Sequence, residues 1–388
     1  MATNHTEART TMTNGAQLEM HWFLPTWGDG RSIVDFFAAD GSAKNDVQGR
    51  RADIDYLRLI AKAADRLGFA GVLTPTGSQC EDPWLIAAAL AADTERLRFL
   101  VAFRPGLILP TLAAQMAATM QRISNGRALV NIVTGGDADE QQSFGDFLDH
   151  DARYERTDEF LSVLRKCWQP PFDHDGTFYP VHGGGLKTPF GHEGPPPMPP
   201  IYFGGASPAA ERVAARHADV YLLWGEPPEW VAERVARMRK LAADEGRSLR
   251  FGIRFHVIAR EREEDAWAVT DHLLDSMAPD QIERAQQRFA QTESVGQKRM
   301  AELHKGRLDR DALTVSPNLW SGIGLVRRGA GTALVGSYDQ VAERIREYVD
   351  LGLDTFILSG YPHLEECYVI GEELLPRVRR LSADAAAR

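Results

Sequence analysis

Short runs of apolar residues alternate with longer segments of helical periodicity along most of the chain. Eight of these runs are bounded by Gly, Pro or charged residues and have the length of buried strands. They comprise residues 20–24, 71–75, 98–103, 128–133, 201–203, 220–223, 251–258 and 355–359. The segments between them, such as residues 53–67 and 83–92, predict helices. Repeated strand and helix units of this kind predict a parallel sheet covered by helices.

Eight such units predict an α/β fold, a single TIM (β/α)8 barrel that spans residues 18–380. An open doubly wound sheet has the same alternation. Such a sheet normally carries a glycine-rich phosphate turn after its first strand, and no GxGxxG follows Leu24. The barrel is therefore favoured. Residues 1–17 are polar and are predicted to form a disordered N-terminal arm.

Two insertions interrupt the simple repeat. The first, at about residues 173–200, is rich in Gly and Pro and predicts an irregular excursion. The second, at about residues 275–335, begins with helical character, becomes charged and ends in GIGLVRRGAGTALVG. Glycines allow this last stretch to move or to approach a ligand closely. A long insertion before the last strand suggests a functional role.

Composition argues against several classes of protein. A net charge of −10 disfavours a nucleic-acid surface, and no apolar run is long enough to span a membrane. The first residues lack the apolar core of a secretory signal. Cys80, Cys167 and Cys367 are odd in number and widely spaced, which predicts free thiols and a cytoplasmic location. No CxxC or HExxH motif is present, so no metal site is predicted.

Two groups of arginines are candidates for binding an anion. Arg254 and His256 lie two residues apart in a predicted strand, so their side chains share one face, where buried charge requires a partner or a function. Arg327 follows apolar residues that suggest an inward side chain, whereas Arg328 has the pattern of a solvated turn. Arginine suits a sulfonate or phosphate because its planar fork donates two hydrogen bonds at once. The alternative for Arg254 and His256 is an internal ion pair or a strand end whose side chains reach into water.

A second anion site is predicted where the fifth strand ends in FGGAS. Gly205, Ala206 and Ser207 precede a helix, and free backbone N–H groups at a helix start attract a phosphate. An ordinary tight turn with Ser207 as helix cap explains the same residues. His150 and Tyr154 lie four residues apart on one helical face, where they could reach a shared ligand or simply pack together.

Further candidates follow the strand ends, where barrel enzymes carry their functional loops. Cys80 follows the second strand and is equally explained as a packing residue. Trp224 follows the sixth strand, and Tyr361 and His363 follow the eighth. We expect these last three side chains at the mouth of the barrel.

The phrases WFLPT, ISNGRALVNIVTGGD, YFGGAS, WGEPPE, FGIRFHVI and SGYPHLEE occur in this order between residues 19 and 375. Together they resemble the two-component FMNH₂-dependent alkanesulfonate monooxygenases of the bacterial luciferase-like superfamily. The resemblance implies that an NAD(P)H-dependent FMN reductase supplies FMNH₂. With O₂, the enzyme would then cleave an organosulfonate to an aldehyde and sulfite. It also implies a homodimer or homotetramer.

The resemblance carries over to individual residues of this chain. Active-site positions are matched by Arg254, His256, Arg327 and Tyr361, and pocket positions by Cys80, Trp27 and Trp224. The flavin phosphate would lie against Gly205, Ala206, Ser207 and Tyr154, with Asn131, Thr134 and His150 near the ribityl chain and ring. His256 is expected to exchange a proton, because an ordinary imidazole titrates near neutral pH.

The chain also departs from the family pattern. Trp27 replaces the usual His after LPT, residues 31–48 are unlike the usual segment, and RRGAG adds Arg328. An indole has no acid or base function, so the preferred substrate is open. Three alternatives remain: a luciferase-like monooxygenase for another small substrate, a deazaflavin-dependent oxidoreductase, and a flavin-binding or sulfonate-sensing protein without catalysis.

Overall fold

The computed structural model describes residues 18–33, 49–187 and 196–386 of the chain, with side chains described up to Leu381. The predicted N-terminal arm at 1–17 lies outside the described residues. So do parts of two other segments, at positions 34–48 and 188–195.

Strands and helices alternate through the described chain. The strands are β1 Glu19–Phe23, β2 Gly71–Thr74, β3 Arg98–Phe103, β4 Ala128–Ile132, β5 Phe172–His174, β6 Val181–Gly184, β7 Ile201–Gly204, β8 Val220–Trp224, β9 Arg250–Arg260, β10 Thr314–Ser316, β11 Leu319–Trp320, β12 Ala333–Ser337 and β13 Thr355–Ser359. The helices are α1 Ile54–Leu67, α2 Pro83–Ala91, α3 Pro110–Ile123, α4 Ala138–Ser143, α5 His150–Lys166, α6 Pro208–His217, α7 Pro228–Asp244, α8 Glu263–Asp275, α9 Pro279–Ala290, α10 Val295–His304, α11 Arg310–Leu313, α12 Tyr338–Asp350, α13 His363–Val369 and α14 Leu375–Ala386. A 3₁₀ turn spans Gly322–Leu325 and a π-helical turn spans Ile370–Leu374.

The eight predicted strands form a closed parallel barrel. Its order is β1, β2, β3, β4, β7, β8, β9, β13, and it closes because β13 pairs with β1 and β9 pairs with both β8 and β13. The predicted α/β TIM barrel is therefore confirmed. Inside it, a compact core includes Phe23, Leu100 and Ile357, while the opposite strand faces pack against the surrounding helices. Burial on both faces explains why the strands appear in the sequence as continuous apolar runs.

Local signals in the sequence fix several helix ends. Asp53 caps α1 by accepting a hydrogen bond from the Tyr56 N–H, and Gly68 ends that helix in the left-handed conformation. Pro83 and Pro110 stand at the first turns of α2 and α3, where the missing N–H has no helical partner to lose. None of the helices in the described residues is both long and apolar enough to cross a membrane.

The second insertion adds structure outside the barrel. Strand β9 extends beyond the barrel, and after His256 its neighbour changes from β13 to the parallel strand β12. Strands β11 and β10 then add antiparallel to this edge. The inserted segment, from α9 to β12, therefore ends beside β9.

Candidate active site

A cavity of about 370 Å³ opens at the carboxyl end of the barrel. Loops after β1, β2, β4, β7 and β8 form its walls, and insertion residues 292, 294–297 and 327–329 contribute to its lining. Most of the candidate residues line it: Trp27, Cys80, Asn131, Thr134, His150, Tyr154, Gly205, Ala206, Ser207, Trp224, Arg254 and Arg327. His256 and Tyr361 do not; in the wall beside it, His256 is buried and Tyr361 is partly buried.

Arg254 projects from β9 between its neighbours Trp224 on β8 and Ile357 on β13. Its guanidinium carbon lies 4.0 Å from the ring centroid of Phe23. Its Nε and Nη2 atoms are buried without a hydrogen-bond acceptor among the described residues. Burial, together with the positive charge of Arg327, lowers the pKa of Arg254 well below its ordinary value. Since arginine keeps its proton inside proteins, a bound anion would offset this unfavourable environment.

Arg327 follows the 3₁₀ turn of the insertion, and its side chain is buried. The guanidinium carbon lies 5.7 Å from the Phe23 ring centroid and 5.6 Å from that of Trp27. Its Nη1 atom is 3.3 Å from the Arg328 carbonyl oxygen and 3.5 Å from that of Ala330, both weak acceptors at these distances. Its Nε has no acceptor in the described chain.

The carboxylates that line the cavity are all paired with other arginines. The pairs are Asp137 with Arg328, Glu140 with Arg104, and Glu226 with Arg299. The interpretation of Arg328 as a solvated turn residue was therefore wrong, because the loop brings this side chain back onto Asp137 of the β4–α4 loop. No ion pair with a carboxylate is found for Arg254 or Arg327 in the described residues. These two guanidiniums thus keep their charge uncompensated at the cavity.

A second polar region lies where β7 meets α6. Gly205 has φ +151°, and a Cβ there would approach the Ala210 Cβ to 2.6 Å, so the turn requires glycine. The Ser207 hydroxyl caps α6 by accepting from the Ala210 N–H at 3.2 Å. Among the described residues, the backbone N–H groups of Ala206 and Ser207 have no acceptor. The turn therefore has the free donors and the helix dipole that a phosphate requires.

Side chains around this turn fit the same group. The Tyr154 hydroxyl faces Gly205, lying 3.4 Å from the position that a Cβ would occupy there, and burial raises the pKa of Tyr154. His150 packs on Tyr154 with ring centroids 4.9 Å apart. Arg234 also lines the cavity, and its buried Nε has no acceptor in the described chain. Arg234 shares the single carboxylate of Glu211 with Arg237, which leaves excess positive charge at this end. The residues present therefore fit a flavin phosphate.

His256 and Tyr361 form an aromatic stack in the barrel wall. Their rings are nearly parallel with centroids 5.4 Å apart, and the Ser359 hydroxyl lies 3.0 Å from His256 Nδ1. Burial and the nearby charges of Arg327 and Arg254 lower the pKa of His256 well below 6.5. The imidazole is therefore neutral at pH 7, which differs from the expectation of a histidine that titrates near neutrality.

Behind Tyr361 lies a network that the sequence did not predict. The His363 ring meets Tyr361 edge to face, and its Nδ1 lies 2.8 Å from the buried carboxylate of Asp29. Asp29 also accepts hydrogen bonds from the His363 backbone N–H at 2.7 Å and from the Tyr56 hydroxyl at 2.5 Å. The expectation that His363 stands at the barrel mouth was therefore wrong, because its side chain is buried against Asp29 in the wall.

Cys80 is partly exposed at the cavity. Burial raises the pKa of its thiol to about 11, so the thiol is protonated at neutral pH. Its position therefore indicates a pocket residue with little nucleophilic character.

The family model for luciferase-like monooxygenases matches residues 33–355, which is most of the chain. The chain belongs to the luciferase-like monooxygenase family. Its structure is similar to that of riboflavin lyase (RcaE) with modified FMN and the substrate riboflavin, with 22% identity, TM-score 0.73, and coverage of 94% of this chain and 92% of that chain. At 22% identity, this similarity shows that the two proteins share a fold.

Two further structural neighbours are monooxygenases by their own descriptions. EDTA monooxygenase (EmoA) from Chelativorans sp. BNC1 has 19% identity and TM-score 0.72, covering 94% of each chain. Long-chain alkane monooxygenase (LadA) has 19% identity and TM-score 0.74, covering 95% of this chain and 92% of that chain. One fold thus accommodates substrates of very different chemistry, so the substrate must be argued from the cavity.

Proposed function

We propose that this luciferase-like monooxygenase uses FMNH₂ and O₂ to cleave the carbon–sulfur bond of small organosulfonates. In the balanced reaction, R-CH₂-SO₃⁻, FMNH₂ and O₂ give an aldehyde, bisulfite, FMN and water. The supporting observation is the pair of guanidiniums, Arg254 and Arg327, that face the cavity without carboxylate partners. A sulfonate carries one negative charge on three oxygen atoms, which suits the parallel donors of arginine.

The two arginines have a second task in this proposal. Negative charge develops at the reacting atoms during oxygen transfer, and fixed positive groups in a site with little water stabilise such charge strongly. Arg327 belongs to the inserted loop, so its position depends on how this loop covers the cavity. Exclusion of water by the loop protects the reduced flavin from unproductive oxidation.

We propose FMN as the cofactor, with its phosphate at Gly205, Ala206, Ser207 and Tyr154. When bound, the reduced flavin supplies the two electrons that activate O₂. Asn131, Thr134 and His150 line the same cavity. We propose that they contact the ribityl chain and ring. Luciferase-like monooxygenases commonly rely on a separate flavin reductase, and we propose an NAD(P)H-dependent FMN reductase as the partner.

His256 and Tyr361 act in this proposal from the wall of the site. A neutral His256 can accept a proton or a hydrogen bond but is not a ready acid at pH 7. Tyr361 stacks on it, and both charges of the arginine pair act on the tyrosine hydroxyl. We therefore propose that Tyr361 orders the donors around the substrate oxygen atoms, with His256 holding the tyrosine ring.

The unpaired arginines also weigh against a deazaflavin oxidoreductase. Hydride transfer to or from a neutral carbonyl requires no pair of positive groups at the reacting end. A monooxygenase for an uncharged substrate is disfavoured for the same reason, because an unfilled anion site would remain beside the flavin.

The test is turnover by the purified protein with FMN, NADH, a general flavin reductase and catalase. Methanesulfonate, longer alkanesulfonates and an aromatic sulfonate are supplied in parallel, and sulfite and aldehyde are measured. We expect equal amounts of both products, dependent on protein, reduced flavin and O₂. Bound flavin with no sulfite from any sulfonate would contradict the proposal and indicate another substrate.

A further inference from the structure

We infer that Phe23 and Trp27 form an aromatic platform that holds the Arg254 and Arg327 guanidiniums in place while leaving their charge intact. The platform is the pair of rings at the end of β1 and in the loop after it. Its role toward a sulfonate rests on the proposed function, whereas its role toward the arginines rests on the geometry alone.

The two rings come from one short stretch of chain. Phe23 is the last residue of β1 and is fully buried in the core inside the barrel. Trp27 lies four residues later and is partly exposed to the cavity, with its ring centroid 5.3 Å from that of Phe23. The core inside the barrel therefore continues toward the cavity as two aromatic rings that are tilted against each other.

Both guanidiniums rest on this surface. Arg254 lies over Phe23 at 4.0 Å, and Arg327 lies over Phe23 at 5.7 Å and over Trp27 at 5.6 Å. These distances are within the range of cation–π attraction. A ring face attracts the guanidinium through its quadrupole and leaves the N–H groups, which lie in the guanidinium plane, free to bind oxygen atoms.

Other arginines at the cavity show the contrast. Arg104, Arg299 and Arg328 are held by carboxylates, which occupy their donors and cancel their charge. Arg254 and Arg327 have buried nitrogen atoms without acceptors, as Arg104 has at its Nε, but no carboxylate of the described chain cancels their charge. Rings also lie under Arg104 and Arg299, whose guanidinium carbons are 5.6 Å from the Phe144 centroid and 4.7 Å from the Trp230 centroid. What distinguishes Arg254 and Arg327 is that ring faces support them without a carboxylate partner in the described chain. Trp27, which replaces the usual histidine, becomes a positioning residue for Arg327.

The first test is a double-mutant cycle between Trp27 and Arg327, measured by thermal melting without substrate. Trp27→Leu, Arg327→Gln and the double variant are compared with the wild type. We expect Trp27→Leu to lower the melting temperature in the wild-type background and to lower it clearly less when Gln replaces Arg327. Trp27→Phe, which retains a ring, should stay close to the wild type. Equal effects of Trp27→Leu in both backgrounds would mean that Trp27 only fills space and would overturn the inference.

The second test separates positioning from packing during turnover. Trp27→Leu should raise KM for methanesulfonate about two- to fivefold, with the FMN dissociation constant unchanged and Trp27→Phe restoring the value. Unchanged KM would overturn the positioning role. Absence of sulfite from every protein, with the melting cycle still coupled, would reject the proposed function and leave the aromatic platform standing. Sulfite formation together with an additive melting cycle would support the proposed function and reject the aromatic platform.

Discussion

Arg254 and Arg327 place two positive charges in one region of the protein interior. Each charge raises the free energy needed to bury the other. Nothing in the described chain neutralises them, although carboxylates neutralise three neighbouring arginines of the same cavity. Folding alone would favour a paired or apolar side chain at such positions. Such an arrangement is expected where function requires an anion site, even though the site lowers the stability of the folded protein.

Replacement of Arg254 by Met should therefore stabilise the protein. We expect the free energy of unfolding to rise by about 1–2 kcal/mol, because a buried unpaired charge is removed and the side-chain volume is nearly kept. Urea unfolding at pH 7 measures this change. Arg104→Met is the matched control, since it strands the Glu140 carboxylate and should lower the stability. A loss of stability in both variants would contradict the description of Arg254 as uncompensated.

His256 provides a prediction on pH. Its pKa is lowered in the folded state, so below pH 6.5 the unfolded chain binds a proton that the folded chain excludes. The stability due to neutral His256 is complete above pH 6.5 and declines as the pH falls, by up to about 1.4 kcal/mol per pH unit. His256→Asn should reduce this slope in urea unfolding between pH 6.5 and 5. An identical slope in the variant would show that His256 is not buried as a neutral group.

The sequence identified some site residues and missed others for physical reasons. Arg254 and Arg327 stand out because charged residues interrupt apolar runs. Asp29 could not be recognised, because its partner His363 is 334 positions away and only the closed barrel brings the two together. Phe23 resembles any other apolar strand residue until the guanidinium above it is known.

At the scale of elements, the strands of the barrel were predictable and the additions to it were not. Barrel strands are buried on both faces and produce apolar runs that glycine and proline interrupt. Strands β10, β11 and β12 have two to five residues and include Gly336, so their sequences show no strand pattern. They exist because β9 extends past the barrel and offers them an edge.

The insertion is fastened over the cavity by a few polar contacts. Arg328 pairs with Asp137, the Gly329 N–H donates to the Gln297 side chain at 3.0 Å, and Thr292 donates to the Gly136 carbonyl at 3.0 Å. Partly exposed contacts of this kind contribute little to stability and can open readily. The Arg328–Asp137 pair is therefore a weak latch on the loop that carries Arg327, whereas the more buried pairs Arg299–Glu226 and Arg153–Glu293 hold the rest of the insertion.

Arg328→Gln should loosen this latch with little effect on folding. We expect a change in unfolding free energy below about 1 kcal/mol and several-fold more hydrogen peroxide per flavin oxidised, because water gains access to the site. Peroxide is measured with a peroxidase assay in the absence of catalase. Arg310→Gln, which breaks an exposed ion pair away from the cavity, is the control. An unchanged yield of hydrogen peroxide in Arg328→Gln would show that this ion pair does not keep water out of the site.

At the scale of the whole molecule, the net charge of −10 contrasts with the positive interior of the cavity. The overall field repels an anionic substrate at long range, so recognition must come from nearby arginines in a region of low dielectric. Apolar side chains also remain exposed on neighbouring helices, including Leu85 on α2 and Leu112 and Ile123 on α3. Such a surface is typical of subunit contacts, and we propose a homodimer or homotetramer.

Light scattering after size exclusion tests this assembly. The wild type should have at least twice the 43.1 kDa mass of one chain. Leu112→Glu combined with Ile123→Glu should shift it toward the monomer, because charge would be buried in the contact. Leu308→Glu, at an exposed position elsewhere, should leave the mass unchanged. A monomeric wild type would contradict the proposed assembly.

In the proposed reaction, two uncompensated arginines bind a sulfonate for carbon–sulfur cleavage. The decisive measurement is the ratio of sulfite formed to FMNH₂ oxidised in a single turnover with photoreduced FMN, which requires no reductase. We predict a ratio near one for the wild type and for Arg310→Gln, and at least about a tenfold lower ratio for Arg254→Gln and Arg327→Gln with FMN still bound. Sulfite formation by both cavity variants at the wild-type ratio would contradict the account.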